Sequence, residues 1–212
     1  MTLRESGRCG VFLAVVLSAL AAQAAEPRVY HLVADESSVR LHVGKSGMLK
    51  TFGHEHEVAA PAFTGRVTLD EADLSRSHVS ATFDSRELRV LPGNEPAKDV
   101  PKVQETMLGP QVLDAARYPD IRFTSTRCEA RQTGPGTYEA QLEGQLELHG
   151  TVRPVSLPLH VELSEGRLVA RGGTTIRQSD FGITPVSAGG GSVKVKNEVP
   201  IQFMFVGRPG TR

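Results

Sequence analysis

Val39, Leu41 and Val43 alternate with Arg40 and His42, a two-residue period that puts apolar side chains on one face of a strand and polar ones on the other. The same period recurs over Phe63–Leu69, over residues 79–83, and at Ile121 and Phe123. It runs on through Tyr138, Ala140, Leu142, Leu146 and Leu148, then through Val155, Leu157, Leu159, Val161 and Leu163, and ends at Val199, Ile201, Phe203 and Phe205. Turn formers fall between these runs: Gly134, Pro135 and Gly136; Gly150; Glu165 and Gly166; and the glycine-rich stretch 187–192. Many antiparallel strands at short spacing predict an all-β fold, and the pattern by itself does not choose between a sandwich and a barrel.

One region departs from the alternation. Within residues 92–119, Val103, Met107 and Leu108, followed by Val112, Leu113 and Ala116, fit helical spacing. Pro110 is expected to divide the stretch into two short helices. No internal repeat, low-complexity tract or linker appears, so the remainder of the chain reads as one domain.

The N-terminus reads differently from everything after it. Arg4 and Arg8 precede an apolar run over residues 11–22, and Ala22, Gln23 and Ala24 form a small-x-small cleavage pattern, the features of a secretory leader. The expected division is a signal peptide over residues 1–24 and a folded domain over 25–212, which places the protein in the periplasm or outside the cell. The apolar run is short of the roughly 20 residues that span a bilayer, and no later segment is long or apolar enough to do so.

Taking Arg4, Arg8 and Glu5 out of totals of 24 basic and 24 acidic side chains leaves 22 against 23, a balance that argues against a nucleic-acid partner. Of the two cysteines, Cys9 lies in the leader, so Cys128 stands alone in the domain and no intrachain disulfide forms there. A homodimer, linked through Cys128 or not, stays open.

Three blocks together resemble the YceI-like family. Val112, Leu113, Asp114 and Ala115 lead to Tyr118, Pro119, Ile121, Phe123 and Ser125. Gly144, Leu146, Leu148, His149 and Gly150 precede Pro154 and Val155. Arg177, Ser179, Asp180, Phe181, Gly182 and Ile183 form the third block. The resemblance covers residues 28–206. It implies an antiparallel lipocalin-like β-barrel with one or two short helices packed at one side, enclosing an elongated apolar cavity for an isoprenoid lipid or isoprenoid quinone. Barrels of about eight strands are wide enough to hold one small ligand. Expected inward side chains are Val39, Leu41, Phe63, Val67, Phe83, Phe123, Leu146, Leu157, Leu159, Ile201 and Phe203. The resemblance also leaves open a membrane redox partner.

Candidate chemistry is sparse. In Gly53-His54-Glu55-His56-Glu57, an extended backbone sends His54 and His56 to the same face about 6 to 7 Å apart, within reach of one metal ion. Three readings follow: ligation of a metal or haem, polar contacts to a ligand head group, or ordinary solvent-facing histidines. A zinc site needs further ligands that the sequence does not assign. Lys194 and Lys196, after the glycine run 189–191, are the other head-group candidates, unless they are simply solvated. Arg177, Ser179 and Asp180 are expected to fix a bend. No serine elbow or cysteine–histidine pair supports nucleophilic catalysis, no carboxylate pair is singled out for acid–base work, and no cofactor is required. The expected function is therefore non-catalytic binding, with metal or haem binding through His54 and His56 as the alternative.

Overall fold

The computed structural model describes residues 26–46, 55–93, 97–188 and 193–210. The segment read as a leader, with Cys9, and also His54 and residues 189–192, lie outside them. The described strands are β1 (Arg28–Leu32), β2 (Ser38–Val43), β3 (Lys45–Ser46), β4 (His56–Ala59), β5 (Phe63–Leu69), β6 (His78–Asp84) and β7 (Arg89–Leu91), then a helix α1 (Val100–Leu108). They continue as β8 (Asp120–Gly134), β9 (Thr137–Leu148), β10 (Thr151–Ser164), β11 (Arg167–Arg177), β12 (Ser187–Ala188), β13 (Val193–Val195) and β14 (Glu198–Pro209).

Among the described residues eight strands close into an antiparallel barrel in the order β1-β5-β6-β8-β9-β10-β11-β14, the ring being completed by β14 pairing with β1. Closure removes the free edges that an open sheet would expose. Strands β2, β4 and β7 extend the ring at one end. β1 and β2 lie successively along β14, β4 and β5 pair with them in turn, and β6 and β7 pair with β5 and β4. These are three long strands, each broken once.

Breaking a ladder strands amides and carbonyls that need new partners, and side chains supply them. At the β1–β2 break, where Ala34–Glu36 makes a 3-10 turn, Ser37 Oγ donates to Val33 O at 2.6 Å and accepts from Val206 N at 3.0 Å. At the β6–β7 break the Ser85 amide donates to Pro119 O at 2.7 Å and its hydroxyl to Tyr118 O at 2.8 Å. β7 has by then left β8, and Gln104 of α1 takes the place of the missing neighbour, accepting from Val90 N at 2.8 Å and donating to Leu88 O at 2.7 Å. The helix is thereby joined to the barrel rim.

The helical expectation for residues 92–119 is met once. α1 ends at Gly109, and the second helix does not form. Pro110 has no amide to offer, and the carbonyls of Met107, Leu108 and Gly109 accept instead from Leu113, Ala115, Val112 and Asp114 in consecutive turns. Asp114 enters the left-handed region there, with φ 44°.

The long connections, residues 44–55, 92–119 and 178–197, leave and re-enter the barrel at one end. Tighter turns close the other, around Gly134–Thr137 and Ser164–Arg167. Glu165 and Gly166, with φ 48° and 75°, form the paired left-handed turn that suits a two-residue hairpin. At the closed end Tyr30, Leu69 and Leu168 pack together, 2%, 8% and 3% exposed.

Candidate functional site

The barrel is hollow. A cavity of about 590 Å³ runs along its axis, within the range of pockets that take small ligands. Its wall is made by the inward half of the alternating positions. Side chains on this inner face, Leu41, Leu146, Leu157, Leu159 and Ile201 among them, are only partly buried, because the space in front of them is not filled by other side chains.

Ten of the eleven side chains expected inside line this cavity: Val39 and Leu41 of β2, Val67 of β5, Phe83 of β6, Phe123 of β8, Leu146 of β9, Leu157 and Leu159 of β10, and Ile201 and Phe203 of β14. Phe63 does not. It shares the inner face with Phe83, its partner across the ladder, and its ring packs 5.2 Å from Phe83 and 5.4 Å from Phe205, whose own ring lies 5.0 Å from Phe203. The pairs are tilted or edge-on, the arrangements aromatic quadrupoles favour.

Several lining residues had no signal in the alternation. α1 contributes Lys102, Val103, Thr106 and Met107, and its Val103 and Met107 join Val58, Ala60, Leu88 and Val90 in one apolar cluster. β11 contributes Leu168, Ala170, Thr174 and Ile176. Its pattern is broken by Gly172 and Gly173, where an added Cβ would fall 2.5 Å from Pro158 O and 2.8 Å from Ile201 O. Cys128 lines the cavity wall as well, and burial pushes its thiol above the usual range.

The two histidines and two lysines singled out by sequence part company. His56 lines the cavity, directly across the ladder from Val43. Its flanking carboxylates turn outward onto His42, with Glu57 at 2.7 Å and Glu55 at 3.6 Å. His54 lies outside the described residues. Among the described residues no three His, Cys, Asp or Glu side chains converge on a metal-sized site. Lys194 and Lys196 flank Val195, and since Val195 lines the cavity, both lysines leave on the opposite face. Neither reaches the interior. Lys196 lies instead over Gly44, where an added Cβ would meet its Cδ at 2.9 Å.

The three sequence blocks send Val112, Leu113, Ile121, Phe123, Leu146, Leu148, Val155 and Ile183 to the cavity wall, and their remaining residues meet each other. The Tyr118 ring packs edge-on to His149 at 4.8 Å and so close over Gly150 that a Cβ there would fall 2.5 Å from the ring. His149 Nδ1 lies 3.2 Å from the Phe181 carbonyl, and Phe181 is 2% exposed. β10 and β11 cease to pair beyond Leu159 and Gly172, and Phe181 and Ile183 pack with Leu148, Ile176 and Val155 at that end. The bend expected at Arg177, Ser179 and Asp180 is a 3-10 turn over Gln178–Phe181. Asn197 holds it by accepting from Ser179 N and donating to Ser179 Oγ, each at 2.9 Å.

No described helix is long and apolar enough to cross a membrane. Val152 is the one strongly exposed large hydrophobic residue among those described, so the apolar surface of the molecule is concentrated inside.

A search of the curated proteins finds no sequence relative. Solved structures with a similar fold include the crystal structure of Burkholderia cenocepacia BcnA, 21% identical with a TM-score of 0.62 over 82% of this chain and 98% of that one. A polyisoprenoid binding domain from Saccharophagus degradans, implicated in plant cell wall breakdown, is 13% identical with a TM-score of 0.59 over 85% and 98%. The Campylobacter jejuni YCEI protein is 14% identical with a TM-score of 0.53 over 73% and 85%. The model of the YceI-like domain matches residues 30–206, nearly the whole of the barrel, and this chain belongs to that family.

Proposed function

We propose that this protein is a non-catalytic carrier that holds the chain of an isoprenoid lipid inside its barrel. The observation that carries the reading is the hollow itself: about 590 Å³ of space walled by apolar side chains that remain partly exposed. The Saccharophagus relative, described as polyisoprenoid binding, supports the choice of ligand class. A dry cavity of about 150 Å³ accepts one benzene, so 590 Å³ suits about two dozen carbons, on the order of five isoprene units. Each unit buries methylene-type carbon worth about 3 to 4 kcal/mol, against an association cost of roughly 4 to 15 kcal/mol, so one or two units do not suffice. The leader-like residues 1–24 suggest that the protein meets its ligand after export.

Affinity for a series of prenyl alcohols is expected to rise with each unit and to level off near five, as read by native mass spectrometry or by displacement of a fluorescent lipid. Lipid extracted from the purified protein is expected to contain prenyl compounds. A protein that carries none and binds none of the series refutes the proposal.

A further inference from the structure

The barrel wall is not of even height. β8 pairs with β6 only from Asp120 to Thr124, and residues 127–134 run on beside β9 alone. A bulge between Ser125 and Arg127 marks the parting. The start of β6 is held there by Ser125, whose Oγ accepts from Val79 N at 2.8 Å and lies 3.0 Å from His78 Nδ1. Beyond it the ladder is replaced by a side window, and the connection from β5 to β6, residues 70–77, stands in that window.

Leu74, at the head of a 3-10 turn, and Ser77 are the residues of this connection that line the cavity. Outside, a groove separates residues 71–75 from Cys128, Glu129 and Ala130 of β8. Leu74, Cys128 and Ala130 border both the groove and the cavity, so the partition between interior and exterior is one side chain thick here. The connection is tied to itself and to β1. Asp73 Oδ1 accepts from Ser75 N at 3.1 Å and from Ser75 Oγ at 2.6 Å, the Asp70 amide donates to Ser77 Oγ at 3.1 Å, and Glu71 pairs with Arg28 at 3.1 Å. Among the described residues no hydrogen bond or ion pair joins residues 70–77 to residues 127–134. The window is therefore shut by apolar contact, with Leu74 packed toward Val67, Leu69 and Leu168.

We infer that Leu74 is the stop that sets the longest prenyl chain the barrel accepts, closing a side window through which a longer chain would run from the cavity into the outer groove. This rests on the carrier reading above and goes beyond it by assigning the choice of chain length to one side chain between β6 and β8. The chemistry of the groove fits a hydrocarbon end. Glu71, Asp73 and Glu129 disfavour an anion there, while Leu74, Cys128 and Ala130 continue the apolar interior. Each methylene that leaves water for such a surface adds to affinity, so removing the stop rewards chains too long for the barrel alone.

The test compares geranylfarnesol with solanesol, prenyl alcohols of about five and about nine units, bracketing the chain length that suits the cavity. The native protein is expected to bind them about equally. In Leu74→Ala solanesol is expected to gain about tenfold over geranylfarnesol, the effect of burying about two further methylene groups, whereas Leu74→Phe keeps the native ratio. A second readout needs no prenyl ligand. Cys128 borders the cavity and the groove alike, so its labelling by a sulfonated methanethiosulfonate is expected to speed up about tenfold in Leu74→Ala, a loss of protection of the size one partly buried apolar side chain provides. Leu41→Ala, which enlarges the cavity at the open end, is expected to leave that rate unchanged. A native preference for solanesol, a ratio that Leu74→Ala does not move, or labelling that it does not hasten overturns the stop and leaves the carrier standing. Failure of both alcohols to bind either protein overturns the carrier, and the stop with it.

Discussion

The two ends of the barrel solve opposite problems. At the closed end the turns are short and Tyr30, Leu69 and Leu168 are packed to 2%, 8% and 3% exposure, Leu69 and Leu168 forming part of the end wall of the cavity. The loop after β5 is tied there by Asp70, itself 4% exposed, which accepts from the amides of Ala72 and Asp73 at 3.1 and 3.0 Å and pairs with Arg76 at 3.2 Å. At the open end three strands break and long connections gather, and along the wall between the ends Leu157, Leu159 and Ile201 stay partly exposed to the hollow. Closely packed and loosely packed side chains thus share one wall, and the difference between them follows from packing. Every interior atom that touches another adds dispersion energy, whereas a binding cavity forgoes those contacts until a ligand supplies them.

This contrast makes its largest claim on core truncations. Leu168→Ala at the closed end is expected to cost about 2 to 5 kcal/mol, since that side chain, though at the cavity wall, is 3% exposed and almost wholly surrounded by its neighbours. Leu157→Ala, on the wall of a hollow that already exists, is expected to cost about 1 kcal/mol, because little cavity is added to what is there. Denaturant titration of both variants checks this, and equal losses would mean that the two sites do not differ.

A smaller effect concerns reaction rates. Cys128 lines the cavity and its thiol is pushed up from an ordinary 9.0 by burial, so at neutral pH little thiolate is present and alkylation by iodoacetamide is expected to be slow. A bound prenyl chain is expected to slow it further by about tenfold, which corresponds to about 1.4 kcal/mol of added protection. Unchanged labelling on saturation would place the ligand elsewhere than beside Cys128.

The smallest effect belongs to the outer wall, remote from both functions. His160 is held above its ordinary 6.5 chiefly by its hydrogen bond to Glu139 at 2.7 Å, with Glu162 adding to it. A raised folded value means stabilisation that is complete below about pH 6.5 and fades as pH rises through the folded value. His160→Gln is therefore expected to lose slightly more stability in mild acid than in base, with no change in ligand affinity. Melting curves across that range report the slope, and a difference of the reverse sign contradicts the pairing.

Much of the architecture is legible in the residues because alternation is local. The long strands β5, β6, β9, β10 and β14 announce themselves, since each keeps a continuous apolar face. β1, β4 and β7 are too short to show a period, and β11 loses its face at Gly172 and Gly173, where close backbone approach takes the place of a side chain. The three blocks that carry the family resemblance are legible for another reason. Tyr118, His149, Gly150 and Phe181 form a joint whose close contacts tolerate few substitutes, so they identify the fold while touching no ligand space. The candidate site is less legible. Lys194 and Lys196 look like head-group donors beside a glycine run, yet the parity of β13 turns them outward. Lys102, in a helix with no distinguishing motif, reaches the cavity only because Gln104 joins that helix to the edge of β7.

From the sequence alone come the β class, the inward set of side chains and the family, because each depends on residues two to four apart or on contacts within a compact motif. The tertiary structure alone decides that β14 meets β1 to close the ring, that the enclosed volume exceeds what the inward side chains fill, and that His56 of β4 and Lys102 of α1 line the same cavity. Those facts depend on distances between strands far apart in the chain. No periodicity records such distances.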